Sequence, residues 1–309
     1  MPKLTEAVWN SFIYPLYANR LQGRLMYWPS SKKSKTEILV VYNLNDSIES
    51  LFEFIKQLSH FGSVTCVDLP GIGGMESFNN INVRPNLEAF ADYVASLVKL
   101  RFRGKRLIIV GIGYGFVIST RMLQNYPEIS RRTDLVVSVG GYTRYDDLNI
   151  SKGKRYAGRV LTLFASLLLP SALLKLMVTN NAFVKNKSIV SPSERKYLNS
   201  LTEAERKLYF YRELKVWKSR GLRTYMASLY EVTKLDNCKK TLSVPVWQVF
   251  LNSSRYNNHI IEQHLKVIYK NFRSSKVSFD EYTLFAMDQK DASKVLPVKL
   301  KRLLSKIIK

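Results

Sequence analysis

Leu107-Ile108-Ile109-Val110-Gly111-Ile112-Gly113-Tyr114-Gly115 is an apolar run that ends in three glycines, each two residues from the next. A short continuous apolar run of this kind reads as a strand buried on both faces. The glycines read as a tight turn. Apolar spacing of a helical kind resumes from Phe116 to Asn125. Strand, glycine turn and helix in that order make one βα unit of a parallel sheet.

The same alternation extends in both directions. Residues 22–29, Glu37 to Tyr42, Ser63 to Val67, Arg106 to Val110 and Leu135 to Val139 read as strands. Leu51 to Phe61 and Leu87 to Leu100 carry apolar residues at helical spacing. The regularity breaks after Gly141 and resumes at Val244 to Leu251, with a further strand at Tyr282 to Ala286 and a closing helix from about Val298 to Ile308. The expected fold is therefore α/β: a mostly parallel central sheet flanked by helices, interrupted by a helical insertion. The expected organisation is a core in two parts, residues 1–144 and 242–309, with a helical basic cap at 145–241. Val160 to Leu174 is free of charge and reads as a hydrophobic cap helix facing a pocket, with membrane-surface contact as the alternative, since Pro170 and Lys175 break it up as a membrane span.

The chain carries 48 Lys and Arg against 24 Asp and Glu, a formal charge of +24. Residues 151–240 hold 19 Lys and Arg against 6 Asp and Glu. Such an excess favours anionic partners, membrane or nucleic acid, reached through the basic cap and the C-terminal helix. The start, Met1 to Arg20, lacks the pattern of a secretory signal. With Cys66 and Cys238 the only cysteines, a cytoplasmic location, peripheral to a membrane at most, is the expectation.

The chain resembles the α/β-hydrolase superfamily from about Leu21 to its C-terminus. Four landmarks in order carry the resemblance. Ile38 to Leu51 is similar to the strand and oxyanion loop, Asp68-Leu69-Pro70-Gly71-Ile72-Gly73 to the D-x-P-G-x-G loop, Gly111 to Gly115 to the G-x-S-x-G nucleophile elbow, and Pro245 to Asn258 to the strand bearing the acid. The resemblance implies a serine at 113, an acid at 254 and a base at 290. The residues there are Gly113, Ser254 and Lys290. It also implies an oxyanion hole from the N–H groups of Leu44 and Tyr114, beside Asn43, which stands where a glycine is usual. These three residues are the expected ligand pocket.

None of the three catalytic slots holds a residue that can do its task. Glycine has no nucleophile, neither Ser254 nor Arg255 beside it can orient an imidazolium as a carboxylate does, and position 290 holds lysine where the base is a histidine. Only His60, His259 and His264 occur, and the last two read as helix-surface residues. Asp288 and Asp291 beside Lys290 read as a solvated loop, and Ser193-Glu194-Arg195-Lys196 matches S-x-x-K without its companion motifs. There is no dinucleotide fingerprint, no phosphate-loop sequence and no metal-ligand cluster, so no cofactor or metal is expected. The reading is an α/β-hydrolase-like chain that has lost Ser-His-Asp hydrolysis and binds a small hydrophobic or anionic ligand under the cap, or a protein partner. The alternatives are a hydrolase with a rewired site acting on a hydrophobic ester-like substrate, and a basic surface-binding module for membrane or nucleic acid.

Overall fold

The computed structural model describes residues 10–30, 34–179, 195, 198–279 and 294–308. The strands are β1 (Ile13–Ala18), β2 (Leu21–Trp28), β3 (Thr36–Val41), β4 (Val64–Val67), β5 (Arg106–Ile112), β6 (Thr133–Val139), β7 (Val246–Phe250) and β8 (Phe272–Lys276). They form one sheet in the order β1-β2-β4-β3-β5-β6-β7-β8. β2 runs antiparallel to both β1 and β4, and the remaining neighbours are parallel. The helices are α1 (Phe52–Ser59), α2 (Leu87–Arg101), α3 (Tyr114–Asn125), α4 (Pro127–Arg132), α5 (Lys152–Ala165), α6 (Leu168–Val178), α7 (Glu203–Ser219), α8 (Leu222–Thr233), α9 (Asn258–Ile268) and α10 (Val298–Ile307).

The central strands bury both faces, which is why they read as unbroken apolar runs: Ile38 to Val41, Leu107 to Val110 and Val136 to Val137 are all fully enclosed. The edges were harder to read. β1 contains Pro15, a residue that lowers strand propensity but is tolerated on an edge. It turns into β2 through Asn19 and Arg20, both at positive φ, as a two-residue hairpin requires. At the other edge, β8 reads Phe-Arg-Ser-Ser-Lys and is largely exposed, so it carries no apolar signal. The strand expected at Tyr282 to Ala286 lies outside the described residues, as do Asp288, Asp291 and most of the S-x-x-K stretch.

α5 to α8 all fall between β6 and β7. The single apolar helix expected over Val160 to Leu174 is corrected: the chain breaks at Ser166 and Leu167 into two helices bent by 99°. Pro170 sits in the first turn of α6, where a missing N–H costs nothing, so it starts the second helix instead of ending the first. Most of the large apolar side chains of this pair face solvent and not a pocket. α10, by contrast, turns Leu300 and Leu304 into the core, so its apolar stripe is spent on packing.

Loop 68–74, after β4, is anchored by a buried charge. Asp68 is fully enclosed and accepts from the Tyr42 hydroxyl at 2.6 Å, the Gly74 N–H at 2.8 Å and Arg24 Nε at 2.9 Å. Arg24 also donates to Glu49 at 2.7 Å. Burial opposes the charge of Arg24, but the two carboxylates outweigh it and raise its pKa. Burial pushes the Asp68 carboxyl from its ordinary 3.8 up to about 6, against the pull of Arg24 and the Tyr42 hydroxyl. Because the folded value is the higher one, the folded chain holds this proton to higher pH than the unfolded chain. The stability that Asp68 contributes by this linkage is fully present below pH 3.8 and is lost as pH rises through about 6. Tyr42→Phe leaves a buried carboxylate oxygen short of a donor. It should cost about 1–3 kcal/mol at neutral pH, with the loss shrinking as pH falls below the Asp68 transition, measured by denaturant unfolding on both sides of it.

Candidate functional site at the β5–α3 turn

Gly113 is the hinge between β5 and α3. Its φ of +50° and ψ of −117° lie outside the range open to ordinary side chains. The turn is pinned on both sides: Gly113 N–H donates to Val139 O at 3.0 Å, and Gly113 O accepts from Phe116 N at 3.1 Å. Gly115 is required for a different reason. A Cβ there would run into the Val41 carbonyl, so the start of α3 can lie against β3 only if residue 115 has no side chain. The turn thus has the backbone of a sharp strand-to-helix elbow, with no side chain at position 113.

The space above Gly113 is filled from across the sheet. A Cβ built on Gly113 would lie 2.8 Å from both Cγ and Oδ1 of Asn43. Asn43 Oδ1 accepts the Tyr114 N–H at 3.1 Å. This N–H is the donor that the oxyanion hole would need, and an amide oxygen of the chain itself occupies it. Asn43 is held there by its own loop: its N–H donates to Asp46 Oδ2 at 3.2 Å, and its carbonyl accepts from Asp46 N at 3.0 Å. Leu44 is buried, and Asn45 Oδ1 accepts the Tyr225 hydroxyl of α8 at 3.0 Å. Tyr114 turns away from the turn into the core, where its ring meets Phe90 edge-on and its hydroxyl is unpaired. Burial pushes that phenol far above its ordinary pKa.

Ser254 is exposed on the loop after β7, where its carbonyl accepts from Asn149 Nδ2 at 2.8 Å. Lys290 lies outside the described residues.

Two constellations had no signal in the sequence. The first is a carboxylate–imidazole pair. Asp147, on the loop after β6, is fully buried and accepts His264 Nδ1 of α9 at 2.6 Å. His264 is thereby corrected from a helix-surface residue to a half-buried partner, while His259 is exposed. The other oxygen of Asp147 accepts Thr143 N, Arg144 N and Thr143 Oγ1. The Asp147 carbonyl accepts Asn257 N at 2.8 Å. Asp147 therefore ties the β6 loop, the β7 loop and α9 together. Asp146, Asp147 and His264 each place a ligand atom within 4.8 Å of the others, but both oxygens of Asp147 are already committed to donors, and Asp146 faces Arg144 at 3.5 Å. The second constellation is Arg220, enclosed at the start of α8 with its guanidinium over the faces of Trp217 (4.3 Å) and Tyr225 (4.6 Å). Among the described residues its Nε and Nη1 have no hydrogen-bond partner. The buried Asp46 also has an unpaired oxygen, Oδ1. Burial drives its carboxyl well above the ordinary carboxylate range, opposed by the Asn43 N–H and the charge of Arg220. Sequence separations of 117 residues for Asp147–His264 and about 170 for Asp46–Arg220 hide both from any motif.

No protein-family model and no curated protein matches the chain. Solved structures do. An α/β-hydrolase enzyme from a Medee basin deep-sea metagenome library is similar at 13% identity and a TM-score of 0.67, over 92% of this chain and 96% of that one. A thermophilic esterase from Thermogutta terrifontis is similar at 12% identity and 0.64, over 96% and 99%. MenH from S. aureus is similar at 10% identity and 0.65, over 92% and 98%. The chain has the α/β-hydrolase fold along nearly its whole length.

The packing at the turn gives a measurable expectation. Gly113→Ser combines a positive φ with a contact against Asn43 and should cost about 1–3 kcal/mol. Asn43→Gly removes that contact. In the double variant the Gly113→Ser penalty should shrink, giving a coupling on the order of 1 kcal/mol in a double-mutant cycle read by denaturant unfolding.

Proposed function

We propose that this chain uses the α/β-hydrolase fold as a non-catalytic scaffold and acts through binding. The observation that carries the reading is the Asn43 amide seated over Gly113 with its oxygen on the Tyr114 N–H. An acyl substrate needs a nucleophile at the elbow and a free donor for the oxyanion. Here the first is a hydrogen atom and the second is already bonded. Ser254 and Lys290 in the acid and base positions support the same conclusion, since losing even one triad member removes orders of magnitude of rate.

The binding role is assigned to the segment between β6 and β7. It is basic beyond its share of the chain, with 19 Lys and Arg against 6 Asp and Glu in residues 151–240. Two clefts open beside it. One, of about 360 Å³, is lined by Arg84, Arg121, Lys234 and Lys239 together with Glu88, Glu231 and Asp236. The other, of about 280 Å³, is lined by Tyr145, Arg155, Tyr156, Arg159, Thr233 and Lys234, with no carboxylate in its wall.

The purified chain should hydrolyse neither short- nor long-chain acyl esters above the buffer rate and should resist labelling by serine-directed phosphonates. Gly113→Ser, alone or with Asn43→Gly, should not restore turnover, because neither variant supplies a base. Ester turnover by the native chain that disappears in His264→Ala would replace this reading with a rewired hydrolase using the Asp147–His264 pair.

A further inference from the structure

Among the described residues the α5–α6 pair is the place where a run of large apolar side chains is left in solvent. Leu161, Phe164, Leu168, Leu169, Leu173 and Leu176 are each at least 60% exposed. Eleven of the nineteen large apolar side chains exposed among the described residues fall between Tyr156 and Met177. A ridge of this size on a folded protein marks an interaction surface. Among the described residues no single helix is long and apolar enough to cross a membrane. The bent pair passes the same test only when its two helices are taken together.

What covers the ridge is indicated by the charge at its root. Arg155 and Arg159 lie on α5 before the apolar stretch, in the wall of the 280 Å³ cleft. Among the described residues neither is paired with a carboxylate; Arg155 stacks over Tyr145 at 4.0 Å, and Arg159 lies 5.7 Å from the Tyr230 ring centroid. Lys234 shares the cleft while bridging Glu231 at 3.0 Å. Five residues of helix separate Arg159 from Phe164, a rise of about 7.5 Å. The cations thus lie within about a turn and a half of the apolar side chains, the pairing that an interfacial helix presents to headgroups and acyl chains.

We propose that the α5–α6 bend docks on an anionic phospholipid surface. The ridge around Leu168 and Leu169 enters the headgroup–acyl boundary, and the Arg155–Arg159 cleft receives a lipid phosphate. Nucleic acid would satisfy the cations and leave the ridge in water. A second copy would cover the ridge and bring two chains of +24 charge together, cations first. Of these three, the anionic lipid surface satisfies both. The proposal goes beyond the silent elbow and holds whether or not that turn is catalytic.

The test is vesicle flotation with the full chain, using phosphatidylcholine vesicles with and without phosphatidylglycerol. Binding should require phosphatidylglycerol and weaken as salt rises. Leu168→Asp/Leu169→Asp and Arg155→Glu/Arg159→Glu should each lower the bound fraction by about tenfold or more, with unfolding midpoints unchanged because the altered side chains lie outside the core. Leu168→Trp should blue-shift its emission on phosphatidylglycerol vesicles. The proposal is overturned by absence of binding to either vesicle, or by equal binding to both that survives Arg155→Glu/Arg159→Glu. It is also overturned by duplex DNA binding indifferent to the leucine variants without vesicle binding, or by a dimer that the leucine variants dissolve without vesicle binding.

Discussion

The β5–α3 turn is the constraint on which the C-terminal edge of this sheet depends. A single residue at φ +50° and ψ −117° reverses the chain between the central strand and the helix that covers it. The missing Cβ at Gly115 then lets that helix lie directly on the β3 backbone. Both requirements are steric and hold whatever chemistry the turn supports. The elbow keeps its shape without a side chain at position 113, because the glycines fix the packing of α3 against β3 and β5. The space left at position 113 is filled by Asn43, which gives the Tyr114 N–H an internal acceptor, so this polar backbone group is not left bare.

Buried charge distinguishes the two ends of this architecture. On the β2–β4 side, Asp68 is met by Tyr42, Gly74 and Arg24, and Arg24 by Glu49, so every strong charge there has a partner at hydrogen-bond distance. Under α8 the matching is incomplete: Arg220 presents unpaired donors and Asp46 an unpaired oxygen. Unpaired buried groups are costly, and here they lie next to the loop that carries Asn43. The helices between β6 and β7 therefore do more than cover the sheet. Through Tyr225 and Asn45 they brace the loop that closes the turn, while their outer face carries the cations and the apolar ridge.

The sequence by itself determined the layers and their order. Strands such as Leu107 to Val110 are enclosed on both faces, and only apolar residues can fill such a place. The spacing of Gly111, Gly113 and Gly115 likewise states a steric need, and the absence of serine at 113 is a fact of the chain that no packing can alter. The edges escaped because they obey no such demand: β1 tolerates Pro15 and β8 reads as polar. The apolar stretch from Val160 was legible as helix but not as exposed helix, since hydrophobicity reports what a residue prefers and not what neighbour it finds. Only the tertiary structure decided that Asn43 caps the turn, that His264 faces Asp147, and that Arg220 is enclosed by Trp217 and Tyr225. The first two bring together residues 71 and 117 positions apart and depend on how loops meet after the sheet has assembled, while Arg220 is enclosed by near neighbours on the helices it joins. The acid position shows the same division: the residue type of Ser254 was readable, while its exposure, like the burial of Asp147, followed from how the loops after β6 and β7 meet.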